Sequence, residues 1–118
     1  MGTFRHPVEI AATEAGPFAQ VEAIVDPGAT YSMFPRPLIA QLGISPREQA
    51  EFVLADGRRV LRDLAIVTVR LDGRIRPSVC VVGDDGVEAL LGAVTLESFG
   101  LAADPVNRRL VSAPLYLL

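Results

Sequence analysis

The chain has 118 residues, 50% hydrophobic and 21% charged, which excludes a disordered chain and fits one domain, residues 1–118, with a modest core. Its net charge is −3 and its basic residues, all arginine, are scattered, so no nucleic-acid footprint is expected. One cysteine rules out an internal disulfide framework, and one histidine argues against a triad or a His-rich metal site within a single chain.

Short apolar runs with turn signals at regular spacing predict an all-β barrel or sandwich. Phe4 to Ala12 reads as a strand, limited by Pro7 to an edge or a bulge. Turn chemistry at Thr13–Pro17 leads to a second strand, Phe18 to Val25, which becomes continuously apolar and stops at Asp26. Tyr31 to Phe34 is a short strand, and Pro35-Arg36-Pro37 opens a short helix, Pro37 to Leu42, closed by Gly43.

Glu51 to Leu54 and Arg59 to Leu71 read as hairpin arms around Ala55-Asp56-Gly57-Arg58, since Asp-Gly signals a two-residue turn. Asp72-Gly73 makes a second such turn into Arg76 to Val82. After the loop Gly83–Gly86, a strand Val87 to Leu91 ends at Gly92, and Ala93 to Phe99 has helical character closed by Gly100. Leu101–Ala103 and Arg109–Ser112 flank a turn at Asp104–Asn107, and the tail Pro114–Leu118 is apolar to its last residue, which points to a docking partner.

One feature points to chemistry. The apolar run Ile24-Val25 stops on a carboxylate and turns on a glycine in Asp26-Pro27-Gly28-Ala29-Thr30. A charge at the edge of a core must be compensated or put to use. Taken alone, Asp-Pro-Gly is also an ordinary turn, with Asp accepting backbone N–H groups. Its company is more specific. Val53-Leu54-Ala55-Asp56-Gly57 and Leu90-Leu91-Gly92 follow in order, then Thr95-Leu96-Glu97, Gly100-Leu101, Asp104-Pro105 and Arg109-Leu110-Val111.

In this ordered set the chain, from about Val21 to Val111, resembles the retropepsin-like aspartic proteases, small bacterial relatives of the retroviral enzymes. The resemblance implies an all-β closed barrel or sandwich with one or two short helices, half of a pepsin-like bilobal architecture. It implies an aspartic endopeptidase with Asp26 as the catalytic residue. Pro27, Gly28, Ala29 and Thr30 would form the active-site turn, and Leu91 and Gly92 would support it. Leu54, Ala55, Asp56 and Gly57 would belong to a flap closing over a peptide substrate, although a plain surface hairpin reads the same way. Arg58 and Arg59 at its tip would face solvent or an acidic substrate side chain.

Hydrolysis by carboxylates needs two, one ionised and one protonated. Held about 3 Å apart, they cannot both ionise and so share a proton. This chain supplies one such turn, so a homodimer with Asp26 from each copy at a two-fold axis is implied. No cofactor and no metal are implied. The sequence departs from the family at Pro27, where relatives carry Thr or Ser. Proline offers neither hydroxyl nor backbone N–H. The alternative is therefore a catalytically relaxed dimerisation or peptide-binding module, and a further rival is an unrelated monomeric barrel in which Asp26 is a turn residue.

Other features are bland. Asp84-Asp85-Gly86-Val87-Glu88 lacks EF-hand spacing and reads as a solvated loop. Cys80, in an alternating strand, reads as a small buried hydrophobe. Tyr31 and Ser32 follow the turn and serve either the cleft floor or the core. The N-terminus has no apolar signal core and no run approaches the roughly 20 apolar residues of a membrane span, so no membrane partner and a cytoplasmic location are expected.

Overall fold

A computed structural model describes residues 3–118. The strands are β1 (Phe4–Ala11), β2 (Ala19–Val25), β3 (Ser32–Pro35), β4 (Glu48–Val53), β5 (Arg59–Leu71), β6 (Arg74–Gly83), β7 (Leu90–Leu91), β8 (Leu101–Asp104) and β9 (Arg109–Ser112). Two short helices, α1 (Arg36–Gln41) and α2 (Ala93–Ser98), complete the set.

Strand order in the main sheet is β1-β2-β7-β3-β6-β5-β4, and a further β1–β5 pairing closes the first six strands into a barrel. Alternation explains the closure. Val8 and Ile10 of β1, Ala65, Val67, Val69 and Leu71 of β5, and Cys80 and Val82 of β6 are buried at two-residue spacing, with Phe4 on the same face of β1, so one face of each strand fills the interior. Burying each of the larger side chains is worth about 1.5–3 kcal/mol. Phe34 of β3, Ile39 of α1, Leu96 of α2 and Phe99 just beyond α2 join the same core. β4 stays outside the closed ring, paired among the described residues with β5 alone, and β8–β9 form a separate ribbon.

Pro7 is tolerated because this part of β1 pairs with β2 alone; β5 reaches only Glu9, Ile10 and Ala11. The two Asp-Gly pairs make different turns. Asp72 and Gly73 both take positive φ, 51° and 83°, giving the tight two-residue link between Leu71 and Arg74. At the β4–β5 tip only Gly57 does (φ 89°), and Leu54 donates its N–H to the Arg58 carbonyl at 2.8 Å. The expected two-residue turn there is thus a three-residue loop, Ala55–Gly57.

Element ends also shift. β4 begins at Glu48 rather than Glu51, because its ladder to β5 extends through polar residues whose side chains face outward. β6 likewise begins at Arg74 rather than Arg76, paired with Leu71. α1 starts at Arg36, with Pro37 second, where a missing N–H costs nothing. The strand expected over Val87–Leu91 shrinks to Leu90–Leu91. Val87 instead closes a turn on the Asp84 carbonyl and packs where a Cβ on Gly83 would stand. Among the described residues no helix is long and apolar enough to cross a membrane.

Candidate active site

The site is built around the two-residue strand β7. It lies parallel to β2 (Ile24↔Leu90, Val25↔Leu91) and antiparallel to β3 at Met33↔Leu90. The segment joining β2 to β3, residues 26–31, is therefore held at both ends by one short strand. Asp26 donates its N–H to the Leu91 carbonyl at 2.9 Å, and Ala29 donates back to the Asp26 carbonyl at 3.1 Å. Asp26 Oδ1 accepts the Gly28 N–H at 3.0 Å, so the carboxylate is oriented by its own turn. The Asp26 side chain is half-buried, and among the described residues no group donates to its Oδ2.

The first N–H groups of a helix need acceptors, and among the described residues no side chain caps α2. The turn supplies them: Ala93 donates to the Ala29 carbonyl at 2.8 Å and Val94 to the Thr30 carbonyl at 2.9 Å. Approach this close demands a glycine at 92. A Cβ there would stand 2.5 Å from the Tyr31 carbonyl carbon and oxygen and 3.0 Å from the Ala29 carbonyl oxygen.

Beneath the turn lies a chain of buried hydroxyls. Gly92 donates its N–H to Ser32 Oγ at 3.0 Å. Thr95 Oγ1 lies 2.6 Å from Ser32 Oγ and 2.8 Å from Ser78 Oγ, so one threonine of α2 ties β3, β6 and the turn support together. Among the described residues no buried side-chain polar atom lacks a partner.

Gly28, Ala29, Thr30 and Tyr31 form one wall of a cleft of about 400 Å³. Met33, Val81, Val87 and Leu90 form its apolar base, and the β4–β5 hairpin covers it with Phe52, Val53, Leu54, Val60 and Arg62. Tyr31 meets Phe52 edge-to-face, ring centroids 6.2 Å apart, bridging turn and hairpin. Among the described residues, Arg62 and Asp84 are the only charged ones in the lining.

Of the residues singled out in sequence, Asp26, Gly28, Ala29 and Thr30 come together on the turn, with Leu91 and Gly92 buried behind it. Leu54 lines the cleft, whereas Ala55, Asp56 and Gly57 form an exposed tip away from its lining. Arg58 pairs with Asp56 at 2.7 Å and Arg59 with Glu51 at 2.9 Å, within the hairpin. Pro27 is exposed and lines a different groove, shared with α2, β8 and the tail residues Pro114, Leu115 and Tyr116. Cys80 lies in the core, where burial pushes its thiol up to about 12. Among the described residues no group of three or more His, Cys, Asp or Glu could hold a metal ion.

Sequence reasoning missed Met33, Phe52, Val60, Arg62, Asp84 and Val87. The alternation around Val60 and Arg62 marks a shared face, but which face meets the cleft depends on barrel closure. The Ser32–Thr95–Ser78 contacts, 63 and 17 residues apart in sequence, have no local signal.

A family model described as aspartyl protease matches residues 9–95. The chain is similar in structure to the EIAV protease complexed with the inhibitor HBY-793, at TM-score 0.63 and 19% identity over 98% of this chain and 94% of that one. It is similar also to a retropepsin-like aspartic protease from Rickettsia conorii (TM-score 0.57, 20% identity, 87% of this chain and 88% of that). The retroviral protease-like domain of Ddi1 from Leishmania major matches at TM-score 0.58 and 18% identity, over 97% of this chain and 92% of that. Among curated proteins none matches significantly.

Proposed function

The chain belongs to the aspartyl protease family, and on that premise we propose that it is an aspartic endopeptidase acting as a homodimer. Asp26 of each copy meets its mate at a two-fold axis, and the two carboxylates share one proton because like charges so close cannot both ionise. The ionised member takes a proton from water as the water attacks the peptide carbonyl; the protonated member donates to the carbonyl oxygen. The C-terminal tail, with Leu117 and Leu118 fully exposed, supplies apolar surface to the dimer.

The observation that carries this reading is the Asp26 turn. A backbone hydrogen bond fixes the carboxylate by Oδ1, no group among the described residues donates to Oδ2, and the rest of the same turn, Gly28 to Tyr31, lines an apolar cleft beneath the β4–β5 hairpin. An acid held in one orientation on a turn that lines a peptide-sized cleft is what general acid–base chemistry on a peptide requires. The test is cleavage of a peptide library between about pH 3 and pH 7. Asp26→Asn is expected to reduce cleavage at least about a hundredfold, and undiminished cleavage in that variant overturns the mechanism.

A second reading rests on Pro27, which presents to solvent neither a hydroxyl nor an N–H. In it the chain is a catalytically relaxed dimerisation or peptide-binding module. It expects no cleavage at any pH, with dimer formation or peptide binding intact in Asp26→Ala.

A further inference from the structure

We propose that Arg62 is a specificity-determining residue, which reads an acidic side chain on a peptide whose large apolar side chain fills the cleft. The inference rests on the cleft being the peptide site of the proposed function.

Among the described residues, Arg62 is the only cation in the cleft lining. The hairpin's other arginines are engaged elsewhere: Arg58 with Asp56 and Arg59 with Glu51, both largely exposed. Strand alternation sets Arg62 on the face of Val60, with Leu61 turned outward and 59% exposed. Across the hairpin Val60 stands opposite Phe52, and Arg62 one pleat further from the tip, opposite Ala50. The covering face therefore runs from an apolar pair to a positive charge in one two-residue step. An extended peptide lying along it presents same-face side chains at the same spacing, about 7 Å. The complementary pattern is a large apolar residue with Glu or Asp two positions away.

The charge partner already present is easily displaced. Asp84 Oδ2 lies 3.3 Å from Arg62 Nη2, long for a charge-assisted bond. The Asp84 side chain is 68% exposed against 34% for Arg62. Arg62 is further fixed through Nη1, which donates to the Leu61 carbonyl at 2.9 Å. The guanidinium is thus held in the cleft wall, while Asp84, on the loop after β6, can be released to water. A substrate carboxylate replaces it at the fixed partner, whereas a substrate ammonium meets a positive charge.

The test uses fluorescently labelled peptides that share one Phe and differ only in Glu, Gln or Lys two residues from it. Binding is read by anisotropy on Asp26→Asn, and cleavage as kcat/KM on the native chain. The Glu peptide should exceed Gln roughly three- to tenfold, with Lys weakest. Arg62→Gln should abolish the preference, Arg62→Glu should make Lys the best ligand, and Asp84→Asn should widen the Glu preference by removing the competitor. Equal binding of Glu and Gln, failure of any peptide to bind, or a Glu preference that survives Arg62→Glu overturns the inference. If binding follows the expected order and the native chain cleaves nothing, the inference stands and the peptidase reading falls. If cleavage proceeds without charge preference, the reverse holds.

Discussion

Gly92 presses its Cα against the Tyr31 carbonyl so closely that a Cβ would stand 2.5 Å from both the carbonyl carbon and its oxygen. The obstacle is backbone, which cannot rotate away. Two further bonds of the Asp26 turn, Ala93 N–H to Ala29 and Val94 N–H to Thr30, depend on that approach. Gly92→Ala is therefore expected to cost about 3 kcal/mol or more, read as a lower denaturant midpoint with an unchanged slope. Cleavage should fall more than the folded fraction does, because what shifts is the support of Asp26.

Thr95 Oγ1 is shared by Ser32 and Ser78 with no exposure to solvent. Thr95→Val keeps the shape and removes that partner, leaving two buried hydroxyls short of one. A destabilisation of about 1–3 kcal/mol is expected, since an unsatisfied buried polar group costs its desolvation. Thr95→Ser should recover most of it, and Ser32→Ala combined with Thr95→Val should cost less than the two single losses added. Strict additivity in that double-mutant cycle would show that the hydroxyls do not act as one network.

The barrel was legible where strands alternate. Every second residue is buried from Ala65 to Leu71 in β5 and from Ser78 to Val82 in β6, and Asp72-Gly73 marks the turn between the strands. The helix ends were legible from Gly43 and Gly100, because glycine enters the left-handed region cheaply. The turn at Asp26 stood out because an apolar run stops on a charge. The hydroxyl chain and the Arg62–Asp84 pair did not. Each joins residues that only barrel closure brings together, and a serine in an apolar strand looks the same whether or not a partner waits across the core. The tip at Asp56-Gly57 misled for a local reason: the same dipeptide serves a two-residue turn or a three-residue loop, depending on whether the aspartate itself takes positive φ.

The Glu9–Arg70 pair joins β1 to β5 at the barrel seam, with Nη2 to Oε2 at 2.6 Å and Nε to Oε1 at 3.1 Å. Arg70 also stacks 4.0 Å above the Phe18 ring. Hydrogen bonding to Arg70 holds the Glu9 carboxyl below its ordinary 4.5. A carboxyl with a depressed folded pKa contributes stability that is fully present above its unfolded value and is lost as pH falls through the folded one. The difference in Tm between the native chain and Glu9→Gln should thus be constant above about pH 5.5, shrinking as pH falls below about 4.5. A difference unchanged at about pH 3 would rule out an ionic contribution from this pair.

Cys80 gives the opposite sign. Burial pushes its thiol from 9.0 up to about 12, so the folded chain holds its proton where the unfolded chain has lost it. Its contribution to stability is present below pH 9 and is lost progressively between about 9 and 12. Because the thiolate is the nucleophile, iodoacetamide at about pH 8 should leave the native chain unmodified and label it rapidly in denaturant. Labelling of the native chain at the denatured rate would place Cys80 outside the core.

Pro27 allows the sharpest test of the proposed dimer. It follows Asp26 directly, is exposed, and has no N–H or hydroxyl with which to meet a second copy. In the family pattern a Thr or Ser here provides both. Symmetry doubles any such bond, since each copy donates to the other. With about 1 kcal/mol for each net hydrogen bond, two of them correspond to roughly a thirtyfold change in dimer Kd. Pro27→Thr is therefore expected to shift the monomer–dimer midpoint in sedimentation velocity to lower concentration by about that factor. Cleavage at limiting chain concentration should rise in proportion, while activity per dimer at saturation changes less. A Kd that does not move would mean that Asp26 turns do not face one another across the axis, and the dyad would lose its support. A tighter dimer without cleavage would favour the binding module instead, with the defect lying in the chemistry rather than in the association.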